Sequence, residues 1–270
     1  MAGRRGLVMG VANDHSIAWG IARTLALHGA EMAFTFQGDA FGKRVKPLAE
    51  GIGVKMLLPC DVTSPESLDT VFDTLKKEWG TLDFVVHAIA HSDKNELKGR
   101  YADTTRENFL RTMDISCFSF TDVARRAAEM MVSPQEGGRG GAMVTLTYLG
   151  AERVIPNYNV MGVAKAALEA SVRYLAADFG RQGIRVNALS AGPVRTLAGS
   201  AIGDARFMFR WNRQHAALKE TIELDHVGGA GLYLLSDLAA RVTGEIHHVD
   251  SGFNIIGLPR VEDLREDGEA

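Results

Sequence analysis

Apolar runs without polar alternation constrain this chain more than any other feature. Residues 82–90 read LDFVVHAIA and residues 141–147 read GAMVTLT. A strand with one wet face alternates polar and apolar side chains, whereas a strand apolar at successive positions is buried on both faces. Further strand-like runs fall at 6–12, 31–36, 54–60, 184–190 and 245–250, separated by amphipathic stretches of helical period. Strands covered on both faces demand helices above and below a parallel sheet. The expected fold is therefore α/β, a single-domain Rossmann-like, doubly wound seven-stranded parallel sheet with helices on both faces. No internal repeat and no Pro/Gly/Ser-rich linker divides the 270 residues, so one domain is expected over 1–270.

Composition excludes several partners. A formal charge of −3 and a pI near 6.2 supply no basic field for phosphate backbones, so no nucleic acid is expected. The apolar run near the N-terminus is broken by Gly10 and is too short for a signal segment or a membrane span. The two cysteines, Cys60 and Cys117, lie far apart in none of the spacings that metal or redox sites use. A cytoplasmic protein without membrane attachment is expected. The loop at 133–141 and the acidic tail at about 260–270 suggest no function.

In a doubly wound sheet, ligands bind beyond the carboxyl ends of the strands, and the first βα turn is where a dinucleotide pyrophosphate rests. Here that turn reads GVANDHSIAWGIA over 10–22. It is not GxGxxG: Gly10 ends the strand, but Ser16 and Ala18 stand where later glycines would be. The physical logic survives, because Ser16 suits an N-cap whose hydroxyl can also meet a phosphate, with Ile17 opening the helix. Gln37 ends the second strand, 19 residues beyond Ala18, where the adenosine ribose is met. It can hydrogen-bond but lacks the charge that repels a 2′-phosphate, so it leans toward NADH (NAD+) over NADPH. Asp61 and Val62 after the third strand suit the adenine, and Ile89 after the fourth suits the other face of the cofactor.

The stretch TYLGAERVIPNYNVMGVAK, 147–165, follows the fifth strand. Tyr158 and Lys165 are seven apart, nearly two helical turns, and project toward one cleft. A lysine near a phenol is expected to lower its pKa and make it a proton donor at neutral pH.

Tyr158, Lys165 and the later GIRVNALSAGPVRT (183–196) resemble the short-chain dehydrogenase/reductase superfamily over nearly the whole chain. The departures from ordinary members agree with one another. HAIAH replaces the usual Asn-Asn-Ala-Gly, Ser116 the usual helix asparagine, and Thr145 the serine 13 residues before the tyrosine, while Tyr148 stands ten before it. These changes are similar to the divergent NADH-dependent bacterial enoyl-acyl-carrier-protein reductases, whose SYLGAERxxPNYNxMGxAK signature is met with Thr147 in place of the serine.

The resemblance implies hydride transfer to the β-carbon of a trans-2-enoyl thioester in fatty acid elongation. It implies Tyr158 as donor to the enolate oxygen, Lys165 as anchor of the nicotinamide ribose, and Tyr148 as a second catalytic-pocket residue. It further implies Val194, Arg195, Thr196, Leu197 and Ala198 around the nicotinamide amide and pyrophosphate. The substrate loop and helices at about 191–220 would bring Ile202, Phe207 and Met208 to an acyl slot shared with Met161 and Ser92. Arg206, Arg210 and Arg213 would meet an acidic carrier protein, and a homotetramer is implied. The alternatives are a ketone or 3-ketoacyl reductase of the same fold, which should carry the missing serine and asparagine, and a nucleotide-binding scaffold without turnover. His247 and His248 are neighbours in a strand and point to opposite faces, so no metal is expected. His87 and His91 suit packing or supporting hydrogen bonds.

Overall fold

Every strand of the computed structural model, which describes residues 1–194 and 205–258, is parallel to its neighbours. The strands are β1 (Arg5–Met9), β2 (Glu31–Phe36), β3 (Met56–Pro59), β4 (Phe84–His87), β5 (Gly141–Thr147), β6 (Ile184–Ala191) and β7 (Ile246–Val249), in the spatial order β3-β2-β1-β4-β5-β6-β7. The sheet matches the expected class. Several strands are shorter than their apolar runs: β1 stops at Met9 and β4 at His87, leaving Gly10 and Ile89 in the turns beyond.

The helices are α1 (Ile17–Leu27), α2 (Gly38–Gly51), α3 (Pro65–Trp79), α4 (Arg106–Met113), α5 (Ser119–Ala128), α6 (Asn159–Phe179), α7 (Ala205–His215) and α8 (Leu224–Leu235). Two apolar cores sandwich the sheet. One packs α3, α5 and α6 through Leu68, Phe120 and Leu168, and the other packs α1, α2 and α8 through Ile21, Val45 and Leu234. β5 is buried at all seven positions, as its unbroken apolar pattern requires. Local chemistry fixes helix starts: the Ser64 hydroxyl accepts from the Ser67 N–H ahead of α3, and Thr105 does the same for Asn108 ahead of α4.

Between α4 and α5 the chain makes a π-helical turn, Asp114–Phe118. It carries Ser116, whose hydroxyl accepts from the His91 N–H and donates to the His91 carbonyl, each at 2.9 Å. The segment after β4 is thereby held by the widened turn.

Strand order reverses between β1 and β4, which opens a crevice at their carboxyl ends. Gly10 forms one wall of it. Its φ is +102°, and a Cβ there would lie 2.1 Å from the Ala88 carbonyl oxygen. On one face of the sheet, α1 and α8 approach through Gly20 and Gly228, where a Cβ on Gly228 would meet the Gly20 oxygen at 2.8 Å. The acidic tail at about 260–270 lies outside the described residues.

Gly10→Ala therefore combines a disfavoured φ with a backbone clash and is expected to lower stability by roughly 1–3 kcal/mol. Gly51→Ala, in open space at the end of α2, should leave stability unchanged or raise it by up to about 1 kcal/mol. Thermal melting of both variants checks this; equal melting temperatures would contradict it.

Candidate active site

Tyr158 occupies the N-cap of α6, between two asparagines with left-handed backbone, Asn157 (φ +61°) and Asn159 (φ +39°). Asparagine tolerates this conformation better than other non-glycine residues. The Asn159 side-chain amide donates to the carbonyls of Glu96 and Gly99, at 3.2 and 3.3 Å, and ties the loop after β4 to the tyrosine. The phenol ring lies against Gly150, where a Cβ would approach to 2.4 Å, and a Cβ on Gly162 would meet the Gly150 oxygen at 2.7 Å. Two glycines thus make the slot that receives the ring. Tyr148 meets Tyr158 edge-on, with centroids 5.2 Å apart and planes at 76°. Leu97, Met161 and Ile155 complete a small apolar cluster around them, separate from both cores.

Lys165 is buried, and its Nζ donates to the Leu146 carbonyl at 2.6 Å. Burial pulls its pKa down to about 8, with Cys117 and Glu169 acting in the opposite direction. The expected lowering of the Tyr158 pKa is corrected: burial pushes the phenol up, and Tyr148 and Glu169 add to the rise. The ammonium is directed onto a backbone carbonyl while the ring sits among apolar groups, where a phenolate would lose its hydration. Tyr158 is a neutral O–H donor at physiological pH. Tyr148 is likewise pushed up, to about 12, by burial.

Thr145, at the position of the usual family serine, is buried and engaged with β4. Its hydroxyl donates to the His87 carbonyl at 3.2 Å and lies 3.2 Å from His87 Nδ1. His87 Nε2 is 2.9 Å from the Ser119 hydroxyl. Burial, then the Lys165 charge, holds the imidazole down to about 3, so the ring is neutral. His87 and the His91 backbone serve supporting hydrogen bonds, as expected. His247 and His248 diverge, one to Glu245 and the other to Glu152.

At the first turn, Ser16 has the N-cap backbone but does not cap the helix. Its hydroxyl accepts from the N–H groups of Ala12 and Asn13, at 3.0 and 3.1 Å, and so closes the long turn on itself. The expectation of a side-chain cap is corrected: the Ser16 hydroxyl makes no cap bond to α1. Ile17, half-buried, packs on the α1–α2–α8 core. Gln37 and Asp61 join: Gln37 Nε2 donates to Asp61 at 3.1 Å, and Asp61 also accepts from the Thr63 N–H and hydroxyl. Those Thr63 bonds hold the Asp61 carboxyl below its ordinary range. Val62 and Ile89 are half-buried against the other core, and Val194 is buried at the end of β6.

Ser92 bonds to α4, its hydroxyl accepting from Thr112 at 2.9 Å. Phe207, expected in the acyl slot, is instead 51% exposed with its ring on Trp211 at 5.7 Å. On this amphipathic helix it takes the solvent side, while Met208 is half-buried. Arg195, Thr196, Leu197, Ala198 and Ile202, and the Arg206 side chain, lie outside the described residues. Arg210 and Arg213 are exposed. Sequence reasoning missed Leu97 and Ile155; Leu97 stands as a lone apolar residue in SDKNELKGR, a signal that could have found it.

The comparisons with known proteins point to one family. A family model described as Enoyl-(Acyl carrier protein) reductase matches residues 10–254. The Enoyl-[acyl-carrier-protein] reductase [NADH] 2 of Rhizobium meliloti is 65% identical over 98% of this chain and 97% of its own. The FabI protein of Rickettsia felis is 53% identical, over 95% and 96%. Among solved structures, FabI from Candidatus Liberibacter asiaticus aligns with a TM-score of 0.92 and 55% identity, covering 96% of this chain and 98% of its own. The reductase from Anaplasma phagocytophilum in complex with NAD aligns at 0.91 and 54%, covering 97% and 96%. By the family model over most of its length and by these relatives, the chain belongs to the enoyl-(acyl carrier protein) reductase family.

Proposed function

We propose that this chain is an NADH-dependent enoyl-[acyl-carrier-protein] reductase, reducing the trans-2 double bond of enoyl thioesters in the elongation cycle of fatty acid biosynthesis. The observation that carries the reading is a buried, neutral Tyr158 held edge-on by Tyr148, while Thr145 is bonded to His87. Reduction of a ketone places negative charge on an alcohol oxygen, which the superfamily meets with tyrosine and serine together. Reduction of a conjugated double bond places it on the thioester oxygen, where one preorganised O–H suffices.

The residues present fit a dinucleotide. Gly10 lets the β1 end close onto Ala88 where no side chain would fit, and the α1 amino end, where the Ser16 hydroxyl makes no cap bond, suits a pyrophosphate. Gln37 and Asp61 would hold the adenosine end, with Val62 and Ile89 along the adenine and nicotinamide sides and Val194 to Ala198 near the nicotinamide amide. NADH, when bound, supplies the hydride that goes to the β-carbon. Tyr158 donates its hydrogen bond to the developing enolate oxygen. Lys165 grips the ribose and adds positive charge, while Tyr148 orients the Tyr158 ring and shields it from water. Met161 and Leu97 give the acyl chain an apolar wall, and Ser92, Ile202 and Met208 extend that assignment.

The acyl-carrier-protein partner follows from the same reading, with Arg206, Arg210 and Arg213 as its docking charges. A homotetramer is supported by exposed apolar residues on α4, the π turn and α6, namely Leu110, Phe118, Val163 and Tyr174. Among the described residues no helix is long and apolar enough to cross a membrane. Two buried unpaired cysteines suit the reducing cytoplasm, which we take as the location.

Tyr158→Phe should cut kcat with a trans-2-enoyl thioester by roughly 10²–10⁴-fold while leaving NADH affinity unchanged. Near-normal turnover would remove its assigned role. Lys165→Met should instead weaken NADH binding at least ~10-fold, measured by fluorescence titration without substrate; unchanged affinity would contradict the ribose contact.

A further inference from the structure

Glu169 is a buried carboxylate that the mechanism above leaves unused. It stands four residues after Lys165 on α6, on the same helical face. The Thr147 hydroxyl donates to Glu169 Oε1 at 2.6 Å. Lys165 donates to Leu146, the residue just before Thr147. Two consecutive residues at the end of β5 therefore receive two side chains of opposite charge from consecutive turns of α6. This double attachment precedes Tyr148 in the chain and sets where the following turn, and hence both tyrosines, must sit.

The surroundings of the two charges are unequal. Lys165 faces His87 from β4, Cys117 from the π turn and Glu169 from its own helix. His87 is neutral, and burial raises the Cys117 thiol. Glu169 is the carboxylate whose charge acts on the ammonium, through space and not through a direct ion pair, since Lys165 bonds to Leu146 and Glu169 to Thr147. Around Glu169 stand Thr147 from β5, Glu152 from the turn after it, Arg173 from α6 and His248 from β7. Burial raises its pKa, and the Thr147 hydrogen bond, Arg173 and His248 oppose the rise.

We propose that Glu169 is a positioning residue for the reaction: its carboxylate, fixed by Thr147, is the buried countercharge of Lys165 and keeps the ammonium available to the cofactor. The inference rests on the ribose-binding role of Lys165 given above. Burial disfavours the ammonium, and an anion one turn away offsets that cost. The same negative charge disfavours a Tyr158 phenolate and keeps its O–H intact as a donor.

The sign of the pH effect follows. The Lys165 pKa is depressed, so the ammonium is lost as pH rises through about 8. Removing a contribution that raises this pKa moves that loss to lower pH. Glu169→Gln keeps an oxygen able to accept from Thr147 and removes only the charge. NADH affinity should equal the parent's at pH 6 and fall off at a pH lower by roughly one unit, a loss of up to about tenfold near pH 8. Thr147→Val, which removes the hydroxyl and retains the carboxylate, should shift the fall-off less.

The experiment is a fluorescence titration of the intact protein with NADH from pH 6 to 9.5. It compares the parent, Glu169→Gln, Thr147→Val and Lys165→Met, with melting temperatures recorded at each pH. A downward shift in Glu169→Gln at unchanged melting temperature supports the proposal. If Lys165→Met weakens binding but the parent and Glu169→Gln curves superimpose, or if Glu169→Gln loses affinity equally at every pH, Glu169 is structural and the proposal fails alone. If Lys165→Met binds NADH normally, the ribose role fails and the proposal with it.

Discussion

The contact between Lys165 Nζ and the Leu146 carbonyl is the constraint on which the site depends. It joins β5, buried at every position, to the longest helix and fixes the rotation of α6 about its axis. Once α6 is fixed, Met161 must face the crevice, and Tyr158, one residue before the helix begins, must lie over Gly150. A buried ammonium is costly unless hydrogen-bonded, and the Leu146 carbonyl at the end of β5 supplies that bond. Catalytic position and fold stability are thus the same interaction seen from two sides.

Around this contact the chain places polar groups in short chains that hold one another. Ser119, His87 and Thr145 occupy the polar capacity beneath the crevice, and Ser116 holds the turn after β4. The Thr145 hydroxyl, where the superfamily resemblance would place a serine, is here engaged with β4. What remains open toward substrate is an apolar cluster with Tyr158 as its buried donor, a composition suited to a thioester oxygen rather than a ketone.

The fold was legible because unbroken apolar runs such as 141–147 admit one environment, a strand covered on both faces. Strand ends were less so: β4 stops at His87, although LDFVVHAIA continues apolar, because Gly10 and Ala88 meet and divert the chain. At the site, Tyr158 and Lys165 were readable from spacing and family resemblance. Their electrostatics were not, since the Tyr158 pKa depends on enclosure by Tyr148 and Ile155 from the turn before α6 and by Leu97 from the distant loop after β4. Ser16 shows the same limit. Its residue type fits a cap, yet the extra length of the turn supplies closer amides at Ala12 and Asn13, and these take its hydroxyl. Glu169 gave no sequence signal, because a glutamate four residues from a lysine on a helix is ordinarily a solvent-exposed pair.

The most direct test of this account follows the loss of reduced-nicotinamide absorbance with a trans-2-enoyl thioester, beside a 3-ketoacyl thioester, with NADH and NADPH in parallel. The account predicts oxidation of NADH by the enoyl substrate and none by the ketoacyl substrate. Oxidation with the ketoacyl substrate alone, or with neither, would contradict it.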